Sequence, residues 1–390
     1  MNQQDDFLAK TTQTPFNIEV QSAEGVYIYD KQGNKYFDLI SGIAVSNLGH
    51  QNPSIKKAIK EQVDKYLHVM VFGEYSQEPQ LALAKKLNEI LPDNLTTSYF
   101  VNSGTEANEA ALKLAKRYTN RTEIVSFNRS YHGSTHGSLS VTGNETKKHA
   151  FRPLLPNVKF INFDNILELK EITDKTACVI IEPIQGDAGV RIPSRVFMDA
   201  LRSRCNETGA LLIFDEIQTG FGRTGTFFAF EHFSITPDIL TIAKAMGGGM
   251  PIGAFISSRE IMNTLTFDPE LGHITTFGGH PVNCAAALAN INELLTPGLI
   301  DSVEEKGQLF EEIISHPSIK EIRRKGLFFA IEMENPDIVQ KIVNGCKNRG
   351  VLSFWFLSCP ESFRIAPPLT ISQAEIRESA KIIWEVINQL

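Results

Sequence analysis

Long apolar runs are missing from this 390-residue sequence. None approaches the ~18 consecutive residues of a membrane-crossing helix, so no span is expected. Blocks of Lys and Arg are missing too. With 38 Lys and Arg against 45 Asp and Glu, the formal net charge is -7. That argues against nucleic acid or an anionic membrane surface as the main partner. Cysteine is scarce. Cys178, Cys205, Cys284, Cys346 and Cys359 are odd in number, scattered and without metal-type spacing. Reduced thiols in a cytoplasmic protein fit that pattern. The start, MNQQDDFLAK, is polar and acidic, with no basic segment leading into an apolar one, so a secretory signal is not expected. There is no internal repeat and no low-complexity linker.

What is present is strand–helix alternation. "SYFVN" (98–102), "IVSF" (124–127), "CVIIE" (178–182), "LLIFDE" (211–216) and "ILTI" (239–242) are short and rich in Ile, Val and Phe. They read as buried strands. Between the first two, Glu106–Tyr118 carries Ala110, Leu112, Leu114 and Ala115 on an apolar stripe, as a helix would. Alternation over roughly 55–290 predicts an α/β unit with a mostly parallel sheet. The ends differ. "GVYIYDKQGNKYFDL" (25–39) reads as a hairpin turning at "KQGN", and beyond about Pro297 come amphipathic helices and the strand-like "GLFFAIEME" (326–334). The expected division is an N-terminal segment 1–54, a large unit 55–296 and a C-terminal unit 297–390, the two ends forming one smaller α+β domain.

Polar clusters sit where the strands stop, the place where open α/β sheets bind ligands. In "VNSGTEANEA" (101–110) a strand stops at Asn102 and a helix follows Ser103, Gly104 and Thr105. Exposed amides and the helix dipole make such a turn an anion site. The same residues also read as a plain capping box. "LLIFDEIQTGFGRTG" (211–225) ends a very apolar strand on Asp215 and Glu216. A carboxylate there is costly unless paired, for example with a protonated ring nitrogen. Neighbouring strand residues face opposite ways, so only one of the two should enter a site. An ATPase-type acidic pair fails for want of a phosphate-binding G-x-x-x-x-G-K-[ST] loop upstream. "SYHGSTHGS" (130–138) offers Tyr131 to stack on a planar ligand, and His132 and His136 at a spacing of four. Its two glycines make it a poor helix for a metal pair.

Most lysines are solvated. Lys244, in "ILTIAKAMGGGMPIGA" (239–254), instead follows a strand-like run and precedes Gly247–Gly249. Desolvation lowers a lysine's pKa, and a neutral amine forms Schiff bases with carbonyls, pyridoxal phosphate among them. That cofactor needs a phosphate cradle, an anion for its ring nitrogen, a stacking aromatic and a Schiff-base lysine. The chain offers a candidate for each at a strand end.

With these motifs in view, the chain resembles the class III pyridoxal-phosphate aminotransferases, and among them the acetylornithine/ornithine aminotransferase branch. The likeness runs from "GVYIYDKQGNKYFDLISGIAVSNLGH" to "FRIAPPLTIS" through "NSGTEANE", "EPIQGDAGV", "IFDEIQTGFGRTG", "AKAMGGGMPIGA" and "TTFGGHP". The resemblance implies fold type I and a homodimer with shared active sites. It implies that Lys244 binds the cofactor covalently and moves protons, and that Asp215 pairs with the ring nitrogen. Gln218 would bond the ring's 3-oxygen, and Ser103, Gly104 and Thr105 the phosphate. Tyr131 would stack on the ring, with His132 beside it, and Thr276 would reach the phosphate of the neighbouring subunit.

The resemblance also marks departures. Relatives of this kind carry Arg after "HG" to clamp a substrate carboxylate, and here that position is Ser134. A hydroxyl does not replace a bidentate guanidinium. Arg364 matches the arginine that grips the α-carboxylate of glutamate or 2-oxoglutarate. Asp187 stands where a glutamate masks it. Asp187 also reads as a simple loop-capping residue. His280 replaces the usual Asn. Phe354, Trp355 and Phe356 read as core packing or as an apolar substrate wall. The reading preferred on sequence is transfer of a terminal amine to 2-oxoglutarate, giving an aldehyde and glutamate. The alternatives are an acetylornithine aminotransferase, an aminomutase or decarboxylase on the same fold, and a catalytically silent cofactor sensor.

Overall fold

The computed structural model describes residues 7–71 and 73–390. Most of the acidic start, residues 1–6, lies outside the described residues. Strands β1 (Val20–Glu24), β2 (Tyr27–Asp30) and β3 (Lys35–Asp38) form an antiparallel ribbon. The β2–β3 turn closes at "KQGN". Asp30 Oδ1 accepts the amides of Gln32 and Asn34 at 3.0 and 2.8 Å, and Gly33 takes a φ of 84°. That left-handed conformation favours glycine.

The centre is a seven-stranded sheet of β4 (Thr97–Val101), β5 (Glu123–Phe127), β6 (Val158–Ile161), β7 (Thr176–Ile181), β8 (Leu211–Asp215), β9 (Ile239–Ile242) and β10 (Gly253–Ser257). Its order is β4-β10-β9-β8-β7-β5-β6. Only β10 runs antiparallel to its neighbours, β4 and β9; the other pairings are parallel. Both faces are covered, which is why these strands are apolar throughout rather than alternating. The period of two divides their side chains cleanly. Cys178, Ile180, Leu211, Ile213 and Ile239 pack beneath the helix Gly104–Thr119. Val179, Ile181, Leu212, Phe214 and Leu240 join the core on the opposite face.

The chain's last part adds β11 (Glu321–Lys325), β12 (Phe328–Glu332), β13 (Val351–Leu352), β14 (Phe354–Trp355) and β15 (Ser362–Ile365). Strand β13 pairs in parallel with β3, so residues 351–352 extend the N-terminal ribbon. The others form the sheet β11-β12-β15-β14. Helices Val303–Ile314, Pro336–Asn348 and Gln373–Ile387 complete this part.

Arg223 ties these pieces together. It is fully buried, and burial pushes its pKa down to about 9. Its Nη1 donates to Leu327 O and Pro367 O at 3.0 and 2.6 Å, and Nη2 to Asn47 Oδ1 at 2.5 Å. One guanidinium therefore satisfies acceptors from three distant stretches. All five cysteines are buried and free. Among the described residues no helix is long and apolar enough to cross a membrane.

The aromatic run at 354–356 is not a substrate wall. The rings of Phe354 and Trp355 stack at 4.0 Å and both meet Phe16 edge-on. Phe356 is buried beneath the Arg364 guanidinium, 4.3 Å from its ring centre.

Candidate active site

Parallel strands carry their last residues to one edge of the sheet. There Asn102, Glu182, Asp215 and Ala243 follow or end β4, β7, β8 and β9. The antiparallel β10 begins at the same edge and brings Met250, Pro251 and Ile252. Together they enclose a cavity of about 420 Å³, within the usual range for small-ligand sites. Lining it are Ser103, Gly104, Thr105, Tyr131, His132, Ser134, Asp215, Gln218 and Lys244.

Asp215 is the best-held side chain of the group. Its Oδ2 accepts from Asn108 Nδ2 at 2.8 Å and meets His132 Nδ1 at 2.7 Å, and its Oδ1 accepts the Ile217 amide at 3.1 Å. Asn108 in turn donates to His132 O and accepts from Thr241 Oγ1, at 2.7 and 2.8 Å. This network supplies the hydrogen-bond partners that a buried carboxylate requires. Glu216 turns the other way, to Thr219 Oγ1 and the amides of Ala229 and Phe230. Burial pushes its pKa up to about 7.

Lys244 opens a short 3₁₀ turn after β9 with a φ of 46°. Burial lowers its pKa to about 8, countered by the charges of Asp215, Glu182 and Asp187 and aided by that of Arg364. Among the described residues no hydrogen bond or ion pair engages its Nζ. A lysine in that state is near the boundary between cation and nucleophile at neutral pH.

Ser103 caps the helix Gly104–Thr119, its Oγ accepting the Glu106 amide at 3.3 Å. Glu106 reaches back to the Asn102 amide at 2.7 Å. The capping role is therefore real, and it fixes the Gly104 and Thr105 end of the helix against the cavity. A Cβ at Gly104 would stand 2.8 Å from two carbons of Ile217. Gly133, at a φ of 133°, passes so close to Thr105 that a Cβ would lie 2.4 Å from its Oγ1. Tyr131 lines the cavity and keeps 36% of its surface exposed, and its hydroxyl meets Ser134 Oγ at 3.3 Å. Gln218 Nε2 and His132 Nε2 are buried without a partner.

Arg364 and Asp187 lie beside the cavity rather than in its lining. Both are buried and meet at 3.2 Å, Arg364 Nη2 to Asp187 Oδ1. Burial lowers the Arg364 pKa. Asp187 also accepts the Leu357 amide at 3.1 Å and Ser358 Oγ at 3.0 Å. Its ion-pair and loop-anchoring roles coexist. Thr276 is exposed and outside this chain's cavity, its carbonyl bonded to His68 Nε2 at 2.9 Å. His136 is exposed and does not join His132 in a metal-type group. The one such group among the described residues is Glu332, Cys359 and Glu361, where Glu332 already pairs with Arg323 at 2.6 Å. His280 packs between His68 and Phe277, its ring centre 5.6 and 6.4 Å from theirs, with Nδ1 unpartnered.

Sequence reasoning missed three contributors. Asn108 is a polar residue on the buried face of its helix and Thr241 one inside a fully buried apolar strand, and that anomaly was the available signal. Glu182 ends a buried strand as Asp215 does. Its carboxylate accepts the Tyr131 and Gly186 amides, both at 3.1 Å, and burial pushes its pKa up to about 7.

Known proteins resemble this chain over nearly its whole length. The profile of the aminotransferase class-III family matches residues 8–387. An acetylornithine aminotransferase of Methanopyrus kandleri is 39% identical over 94% of this chain and 94% of its own. One from Clostridium acetobutylicum is 40% identical over 96% and 97%. Among solved structures, the ornithine aminotransferase of Toxoplasma gondii has a TM-score of 0.91 at 28% identity, covering 98% of this chain and 92% of that one.

Proposed function

The chain belongs to the class-III aminotransferases, of fold type I, and from that premise we propose that it moves the terminal amine of an N-acylated basic amino acid, acetylornithine first, to 2-oxoglutarate. Enzymes of this family use pyridoxal phosphate. The cavity fits that group. It offers an unengaged amine at Lys244, a fixed carboxylate at Asp215, a helix start without room for a side chain at Gly104, and an orphaned amide at Gln218. When bound, pyridoxal phosphate supplies the electron sink that lets an amine and a proton exchange between donor and acceptor.

The chain's own residues do the rest. Lys244 Nζ would hold the cofactor's aldehyde carbon, and it would then carry the proton between the carbons that lose and gain it. Asp215, held in place by Asn108 and His132, would accept the ring N–H. Gln218 Nε2 would donate to the 3-oxygen, the amides and hydroxyls of 103–105 would receive the phosphate, and Tyr131 would cover a ring face. Arg364 would take the acceptor's α-carboxylate once Asp187 uncovers it. The observation that carries the proposal is Lys244's desolvated, unengaged amine in the cavity that also holds Asp215.

The acetylornithine choice rests on the relatives' names and their identity over nearly the whole chain. It reverses the order preferred on sequence. A second reading keeps the chemistry and changes the donor. Ser134 favours it, since among the described residues no guanidinium lines the cavity. We also propose a homodimer in which Thr276 reaches the partner's phosphate site. Its support is Thr276's exposure on a loop with the exposed apolar Ile274 and Phe277. The smaller domain drawn from both chain ends is supported by the β3–β13 pairing.

The test is a set of single half-reactions. Holoenzyme is mixed with acetylornithine, ornithine, lysine, 4-aminobutyrate, β-alanine or glutamate, and loss of cofactor absorbance is followed. Fast conversion by acetylornithine and glutamate is expected. Conversion by glutamate and another terminal amine, with acetylornithine inert, would select the second reading. No conversion by any amine would end the proposal.

A further inference from the structure

We propose that Ser358 is a positioning residue that latches Asp187 over Arg364, and so sets how readily a dicarboxylate gains the guanidinium. The inference rests on Arg364 being the acceptor's carboxylate site.

Asp187 sits in a tight loop closed by the Gln185–Arg191 bridge, with amide-to-carbonyl distances of 3.0 and 2.9 Å. Neighbouring Gly186 abuts the cavity, since a Cβ there would stand 2.5 Å from Gln218 Oε1. The Asp187–Arg364 contact is a single one at 3.2 Å, not a bidentate fork. Two of the three donors to the Asp187 carboxylate come instead from residues 357–358. The Ser358 hydroxyl is oriented from behind, because its oxygen accepts Asn144 Nδ2 at 2.9 Å. That leaves its own proton for Asp187 Oδ2.

Arg364 meanwhile has unused capacity. Its Nε is buried without a partner. A substrate carboxylate taking Nε and Nη2 together would satisfy it, provided Asp187 moves aside. Aspartate has one methylene, so its carboxylate cannot leave Arg364 while still held by both Leu357 and Ser358. The Asn144–Ser358 pair is thus the restraint on opening. Leu357 beside it is exposed, so the latch lies on the solvent side, where an entering acid would meet it.

The probe is glutarate, a five-carbon dicarboxylate with neither amine nor ketone, titrated into holoenzyme by calorimetry. Ser358→Ala should bind it about tenfold more tightly than the unaltered enzyme. Ser358→Thr, which keeps the hydroxyl, should return the original affinity. In steady state the KM for 2-oxoglutarate should fall with Ser358→Ala while kcat holds. If Ser358→Ala misfolds, Asn144→Ala should shift glutarate affinity the same way by a smaller factor of about three. Unchanged or weaker glutarate binding in a folded variant overturns the latch. Arg364→Gln separates the two readings. If it binds glutarate as well as the unaltered enzyme, Arg364 is not the carboxylate site and both fall. If it loses binding while Ser358→Ala changes nothing, only the latch falls.

Discussion

At the inner end of the cavity Asp215 is gripped by Asn108, His132 and the Ile217 amide, and Asn108 is itself held by Thr241. At the mouth, the hydroxyl of Ser134 has one partner among the described residues, Tyr131, at 3.3 Å. The inner end is buried, and its polar groups are cross-bonded. The outer end is exposed and sparsely bonded. A carboxylate buried without partners is expensive, so Asp215 comes with supports that fix it. A solvated hydroxyl costs little to replace, so the residue at position 134 is free to differ. The contrast separates a fixed inner end from an adjustable mouth.

The inner end should break hardest. Lys244→Ala is expected to lower turnover by about 10⁴-fold or more, since it removes both the nucleophile and the proton carrier. Single-turnover absorbance measures this. Its pH dependence sharpens the point. Below about pH 8 the Lys244 amine is protonated and above it neutral. Cofactor uptake by apoenzyme should therefore rise with pH and level off above about 8, whereas an ordinary lysine would keep gaining to about 10.4. The linkage has the same sense. Between about 8 and 10.5 the unfolded chain binds the extra proton, so Lys244's share of apoenzyme stability increases with pH across that window. Lys244→Met should remove this increment in denaturant titrations.

Next comes the frame that carries the cavity. Arg223→Met leaves three buried acceptors unpaired, and a loss of about 3–5 kcal/mol in unfolding free energy is expected. Smaller still should be the effect at the mouth. Ser134→Arg is expected to improve the KM for a carboxylate-bearing donor about ten- to a hundredfold, with little change for amines lacking that group. The smallest effect belongs to the support behind Asp215. Asn108→Ala should cost about tenfold in turnover, the low end of what one lost hydrogen bond to a charge is worth. A Ser134→Arg variant that leaves every donor unchanged would remove Ser134 from any account of specificity.

The sequence carried the strands of the central sheet wherever they were apolar and bounded by polar signals, as in β7, β8 and β9. Strands β6 and β10 escaped notice. The first has a half-buried pattern. The second follows the glycines after Lys244 and reads as part of their turn. Several residues that line the cavity were legible because they lie at strand ends, a position the chain's periodicity reveals. Asn108 and Thr241 lie within elements, and their partners are 107 and 133 residues away. Only folding brings such groups together. The Ser358 contact to Asp187 spans 171 residues and was hidden for the same reason. The aromatic run at 354–356 favoured core over pocket on sequence without deciding between them, because a stripe of rings does not say which neighbour it meets. Phe16 and Arg364 turned out to be those neighbours.

The most direct measurement is borohydride reduction of the holoenzyme followed by peptide mass mapping. The account predicts a single pyridoxyl adduct on Lys244, absent from Lys244→Ala. An adduct on another lysine, or none in a protein that retains transaminase activity, would contradict it.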